Sequence, residues 1–167
     1  AVERYRDRTE SGRLLAGLLA HHRAARPLVV GMAGGGVVVA VEVASALEGS
    51  LHAAVSVSFE APGDAGLALG AVTADGGTVI EESLAARLGL SPDDLSPVIR
   101  AAAAAARRRE GTLGSAPWGR IAGATVVVVD EGVAGGAGLR AVLGRVRRAG
   151  PHWLACAVAV GLPATVD

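Results

Sequence analysis

"VVVVDEGVAGGAG", residues 126–138, joins four valines to two adjacent acids and then to a loop of glycine and alanine. A short unbroken apolar run ending in turn residues reads as a strand buried on both faces, as in a parallel sheet. Asp130 and Glu131 at its tip repel each other and call for solvent, a cation or hydroxyl donors. A ribose offers two neighbouring hydroxyls. Gly132 to Gly138 can turn tightly and aim backbone amides at an anion at the start of the next helix. Hydroxyl donors beside such amides suit a sugar phosphate.

Working outward, "ATVVVVDEG" (124–132) is a strand and "GLRAVLGRVRRAG" (138–150) an amphipathic helix presenting Leu139, Val142, Leu143 and Val146. "HWLACAVAVGLP" (152–163) is the last strand. Upstream, residues 9–25 predict a helix with Leu14, Leu15, Leu18 and Leu19 on one face and Thr9 as its cap. Leu28 to Val30 is a short strand, 37–49 a helix stopped by Gly49, and 52–59 a second strand. "LALGAVT" and "TVI" form a hairpin around "ADGG". Residues 91–110 hold two helix starts, Ser91-Pro92 and Ser96-Pro97, and a run of alanine closed by Arg107 to Arg109, read as a surface cap. This alternation predicts a single α/β domain over 1–167: a mainly parallel twisted sheet flanked by helices, with a small hairpin insertion.

Composition narrows the function classes. Of 167 residues, 51% are hydrophobic, which argues for a folded domain. Aromatics are only 2%, so Val, Leu and Ala must build the core. Lys, Asn and Gln are absent, and every basic residue is Arg. The net charge is zero, which offers no footprint for nucleic acid. No apolar run reaches the ~18 residues of a membrane span, and the charged opening is no signal peptide. A cytoplasmic location without membrane or nucleic-acid partners is expected, and Ala1 in place of Met points to a start inside a longer sequence. Cys156 stands alone in "LACAVAV" and reads as a small buried hydrophobe; no metal-ligand spacing is present.

Other candidates read as ordinary structure. His21 and His22 fall on the first helix, solvated and diverging. His52 and His152 precede strands without a partner acid. Trp118 and Trp153 read as core or interface anchors. Ser56 and Ser58 lack a nucleophile elbow.

A second glycine loop, "GMAGGG" (31–36), nearly matches the dinucleotide fingerprint, with Ala33 at its second glycine and Glu60 imitating the ribose acid. That fold has no need of the 130–131 acid pair, so the later loop discriminates between the readings.

Four blocks, in order, resemble one family. "RYRDRTESGRLLAGLLA", "VVGMAGGGVVVA", "APGDAGLALGAVTADG" and "VVVVDEGVAGGAG" are similar to the blocks of type I phosphoribosyltransferases, in a bacterial subgroup without an assigned acceptor. The resemblance implies that Asp130 and Glu131 hold ribose hydroxyls. It implies that Gly132, Val133, Ala134, Gly135, Gly136, Ala137 and Gly138 form the 5′-phosphate loop, and Ala33, Gly34 and Gly35 the pyrophosphate loop. It also implies Mg²⁺ carried by the ligand wherever the reaction is active.

The motifs are degenerate. Gly135 and Gly138 stand where the family has Thr, Gly34 where it has Arg, and Ala33 where it has Pro. Val57 and Ser58 replace an Arg-Lys pair, Gly66 a Glu, and Ala134 the base-handling Asp of hypoxanthine-type relatives. Transfer expels a diphosphate whose charge needs neutralising, and each charge-assisted hydrogen bond contributes about 1.5–3 kcal/mol. Arg8 or Arg13 are candidate replacements. The expected function is therefore binding of a ribose 5-phosphate, nucleotide or phosphoribosyl diphosphate-like ligand, with transferase activity weak or lost and the catalytic residues unknown. The alternatives are an active transferase of unknown acceptor and a structural or regulatory domain with an empty site. The family's chain normally continues beyond the last strand; the sheet edge left open favours association, as in a homodimer.

Overall fold

The structure is a computed structural model and describes residues 5–114 and 118–161. The chain divides into two compact units, Ala1–Ala54 with Ala116–Gly135 and Val146–Asp167, and Val55–Ser115 with Gly136–Arg145. Leu162 and Pro163, the end of the expected last strand, lie outside the described residues.

The first unit is built on four parallel strands in the order β2-β1-β6-β7: β1 Leu28–Met32, β2 Ser50–Ala54, β6 Thr125–Val133 and β7 Trp153–Gly161. The valine run pairs on both sides, Val126 with Leu28 and with Leu154, and Val126 to Val129 are fully buried. Helices α1 (Arg8–Leu18) and α2 (Gly35–Ala46) pack on each other, and Val39, Ala40, Val43 and Leu47 meet Val29, Val127 and Val129 in one core. With almost no aromatic side chains, these layers close by bringing backbones together. A side chain at Gly12 on α1 would strike the Val39 carbonyl at 2.7 Å.

The second unit holds an antiparallel sheet, β3 (Ser56–Ala61), β4 (Asp64–Thr73) and β5 (Thr78–Ile80), in that order. Helix α3 (Glu82–Arg87) follows, then α4 (Pro92–Leu113), which packs on β3 and β4. Phe59, Leu69, Val72, Leu95, Ala102 and Ala103 form its core. Ser91 and Asp94 make a reciprocal capping box, so the expected Ser91-Pro92 start is real. Helix α5 (Ala137–Arg148) buries Leu139, Val142 and Val146, as its periodicity implies.

The predicted class, α/β with a mainly parallel sheet flanked by helices, is the observed one. Several local readings need correction. The 52–59 strand is two strands in different sheets, because buried Val55 interrupts pairing between β2 and β3. Ser96-Pro97 starts no second helix; Pro97 sits inside α4, whose alanine run carries the helix on to Leu113. Helix α3 is short and starts without a side-chain cap, so the sequence pattern does not announce it. The 9–25 helix ends at Leu18 and gives way to a 3-10 stretch, Ala20–Ala25. Its cap is Asp7, whose carboxylate accepts the Glu10 amide at 2.8 Å, rather than Thr9. Only Leu15 and Leu19 of the four leucines pack inward; Leu14 and Leu18 are exposed, because α1 buries Ser11, Gly12 and Ala16 instead. His21 and His22 do not diverge: their rings lie 4.0 Å apart, and His22 stacks 3.9 Å from Trp153. Burial, with the neighbouring His21 adding to it, holds His22 below the usual histidine range. Cys156 is exposed rather than buried, since β7 is an edge strand.

Leu47 is fully buried and sits in the core under the parallel sheet. Leu47→Ala should cost about 2–5 kcal/mol by urea denaturation; a loss well below 1 kcal/mol (about half the smallest such cavity cost) would contradict the packing described.

Candidate functional site

In a parallel sheet the strands' carboxyl ends face one way, and ligands collect there beside the helix N-termini. Strands β1 and β6 are neighbours, with Gly31 opposite Val129. Their two following segments, 33–36 and 130–132, therefore start at the same end of the sheet. The glycine loops that the sequence separates by about a hundred residues meet here, within the first unit.

The contact is close. The Glu131 carboxylate lies directly against Gly35, in the space a Cβ there would fill. At Gly36 a Cβ would come within 2.9 Å of Asp130 Oδ1, 2.9 Å of Met32 Cβ and 3.1 Å of the Val129 carbonyl. At Gly36 the Met32 Cβ and the Val129 carbonyl leave no room for a side chain as α2 begins beside the acid pair; at Gly35 the nearest obstacle is the movable end of Glu131. Gly34 caps that helix at φ 114°, a conformation that favours glycine, and contributes no side-chain cap. The exposed Ala33 is anchored through its amide, which donates to the Ala54 carbonyl at 2.8 Å.

Each acid has its own partners. The Glu131 amide donates to Asp130 Oδ1 at 2.8 Å. Burial pushes the Asp130 carboxyl above the usual carboxylate range; the Glu131 charge adds to the rise, while the amides of Glu131 and Gly132 oppose it. Glu131 accepts a hydrogen bond from Arg8 Nε, at the start of α1. Arg13 is committed elsewhere, to Glu42 on α2 at 3.0 Å.

The remaining predicted residues follow along the chain. Gly132 and Val133 still belong to β6, paired with Val160 and Gly161. Ala134 and Gly135 are exposed and leave the strand. Gly136 turns at φ 75°, and Ala137 and Gly138 open α5 in the second unit. In that unit the Ser56 hydroxyl lies 2.7 Å from where a Gly138 Cβ would stand. So the predicted loop leads from strand to helix, with Gly132 and Val133 still in β6, and of the predicted pyrophosphate-loop residues Gly35 is the one that meets an acid. Gly36 and Arg8 complete the cluster. The run of three glycines was the signal for the first; only the fold could place Arg8, 123 positions from Glu131. An open cleft of about 440 Å³ in the second unit, lined by Asp75, Arg107, Glu110 and Arg145 among others, includes none of the predicted site residues.

A parallel sheet flanked by helices, with an acid pair and two glycine loops at its carboxyl end, defines an α/β class, and the comparisons make the class specific. Residues 2–166 match the phosphoribosyl transferase domain family, and the chain belongs to it. It is 33% identical over 160 residues to the Mycobacterium tuberculosis (strain H37Rv) protein named "Putative phosphoribosyl transferase Rv0571c", covering 93% of this chain and 35% of that one. The chain thus spans about a third of the length of the curated relatives it matches. The solved structure of TT1426 from Thermus thermophilus is 34% identical and superposes with a TM-score of 0.74, covering 98% of this chain and 78% of that one. A purine phosphoribosyltransferase from Pyrococcus horikoshii, 18% identical, shares the fold at a TM-score of 0.56, over 94% and 75% of the two chains. Among the described residues, no helix is long and apolar enough to cross a membrane.

The raised Asp130 carboxyl has a consequence for stability. Its folded form binds a proton more tightly than the unfolded chain does, so stability falls as pH rises from the unfolded carboxylate range through the raised value. Asp130→Asn keeps an oxygen acceptor for the Glu131 amide and removes the charge. It should melt above the wild type at pH 7, with the gap closing below about pH 3, where both side chains are neutral. Identical melts at pH 7 would refute a desolvation cost at this position.

Proposed function

We propose that this chain binds a ribose 5-phosphate, or a nucleotide or diphosphate built on one, through the β6 acids and the segment that follows them, with transferase activity weakened or lost. The observation that carries the reading is the approach of Asp130 and Glu131 to the first glycines of α2. That approach puts two carboxylates beside a helix N-terminus, as acceptors for the ribose hydroxyls once Glu131 leaves Gly35. Ala134 and Gly135, which leave the strand in the same unit, then offer their amides to the 5′-phosphate.

The weakening follows from what the side chains lack. Ala33, Gly34 and Gly35 bring only backbone to a diphosphate, and Gly135 and Gly138 bring no hydroxyl to a phosphate. Loss of several charge-assisted contacts lowers affinity by orders of magnitude. A Mg²⁺ ion carried by a diphosphate would find hard oxygen donors in Asp130 and Glu131, the donor type it prefers. Bound there, it would neutralise charge on the diphosphate. This chain's own residues hold the sugar, through the two carboxylates, and orient it, through the loop amides.

Titration calorimetry with ribose 5-phosphate tests the reading. Saturable heat is expected from the wild type, and the double variant Asp130→Asn/Glu131→Gln should bind at least about tenfold more weakly, as loss of one charge-assisted hydrogen bond or more implies. No heat from the wild type with ribose 5-phosphate, nucleotides or phosphoribosyl diphosphate would instead favour a regulatory domain with an unused site.

A further inference from the structure

Glu131 is engaged from two sides. Its carboxylate rests on Gly35, the first residue of α2, while Arg8 Nε from the start of α1 donates to Oε2. Helix α2 has no side-chain cap of its own, and its N-terminus carries the positive end of the helix dipole. A carboxylate there is an anion packed against backbone on one side and bonded to a cation on the other. Both elements belong to the same unit, so the arrangement is local.

Building on the sugar-phosphate reading above, we propose that Arg8 is the cationic diphosphate-binding residue of this site, and that Glu131 and the diphosphate exchange on it. Glu131 cannot cover Gly35 and remain available to ribose hydroxyls at the same time. A diphosphate carries more negative charge than one carboxylate and can accept from both the guanidinium and the α2 amides. Its arrival displaces Glu131 from Gly35, takes over Arg8, and releases the carboxylate toward the sugar. Arg8 thereby supplies, from a different element, the positive charge that Gly34 lacks. The guanidinium suits this transfer because its fork of donors serves carboxylate and phosphate alike. Arg8 and Glu131 side chains are 58% and 38% exposed, so the pair is weak enough to open.

Inorganic pyrophosphate, titrated at fixed ionic strength, tests the exchange without involving a sugar. Arg8→Ala should weaken its binding, and Glu131→Gln should tighten it, each by about fivefold, the upper range for a solvent-exposed charge pair. Misfolding cannot produce tighter binding. Glu42→Gln, which removes an equal charge from α2 at its ion pair with Arg13, should leave the affinity within about twofold. The proposal is overturned by an unchanged Arg8→Ala, by unchanged or weaker binding to Glu131→Gln, by equal tightening in Glu42→Gln, or by no pyrophosphate binding in any form at millimolar concentration. Because ribose hydroxyls play no part, a failure here leaves the ribose 5-phosphate result standing, and the reverse also holds.

Discussion

Two carboxylates at the end of a buried valine strand are an electrostatic burden, and the first unit is arranged around relieving it. Asp130 and Glu131 are held at neighbouring positions, because β6 stays paired with β7 as far as Val133, although its pairing with β1 ends at Val129. Relief comes from backbone amides, from the N-terminal end of α2 and from Arg8. Each demands something of the sequence. The helix must start close, so residue 36 must be glycine, and glycine at 35 leaves the Glu131 carboxylate its place. Helix α1 must lie against α2, so Gly12 and Ala16 stand where bulkier residues would separate them. The acid pair and the small-residue packing are one constraint seen at two places.

The same scarcity of aromatic and long side chains shapes both units. A core made of Val, Leu and Ala fills space only when helices ride close to sheets, and close backbones leave little room for side chains to reach a ligand. The candidate site is accordingly built from main chain and from three charged side chains. That is a workable way to hold phosphate and hydroxyl groups, which need donors and acceptors more than shaped walls. It is a poor way to neutralise a leaving diphosphate, which needs cations held in place.

The sheet and the helices beside it were legible because their signals are local. A valine run ending in acids, an amphipathic 138–150 and a glycine after an alternating pattern each carry their meaning within a dozen residues. The antiparallel unit was only half read: the hairpin around "ADGG" announced itself, but nothing local shows that Val55 ends one sheet and that Ser56 begins another. The leucines of α1 misled because period alone cannot tell which of two apolar stripes faces a neighbour that presents glycine. Cys156 misled because an apolar run does not reveal whether its strand lies at the centre or the edge. In the candidate site the acids and glycines were visible as residue types, and their meeting was not. Contact between positions 35 and 131, and between 8 and 131, exists only once β1 and β6 lie side by side.

Asp130 separates the demands of folding from those of binding. Its carboxyl is raised by burial, so its charge opposes folding near neutral pH, and an amide would accept the same Glu131 hydrogen. The fold therefore has a use for the oxygen and none for the charge. Glu131 differs: its charge is answered by Arg8 and by the α2 terminus, both of which an amide would engage less well. An acid that the scaffold does not require, beside one that it holds in a pair weak enough to open, is what a site for hydroxyl and phosphate groups would contain. A purely architectural loop of the same length would be more stable without the Asp130 charge. On the proposed reading, the glycines in place of threonine and arginine would weaken that site without abolishing its logic, since the backbone and the two acids would still offer their contacts.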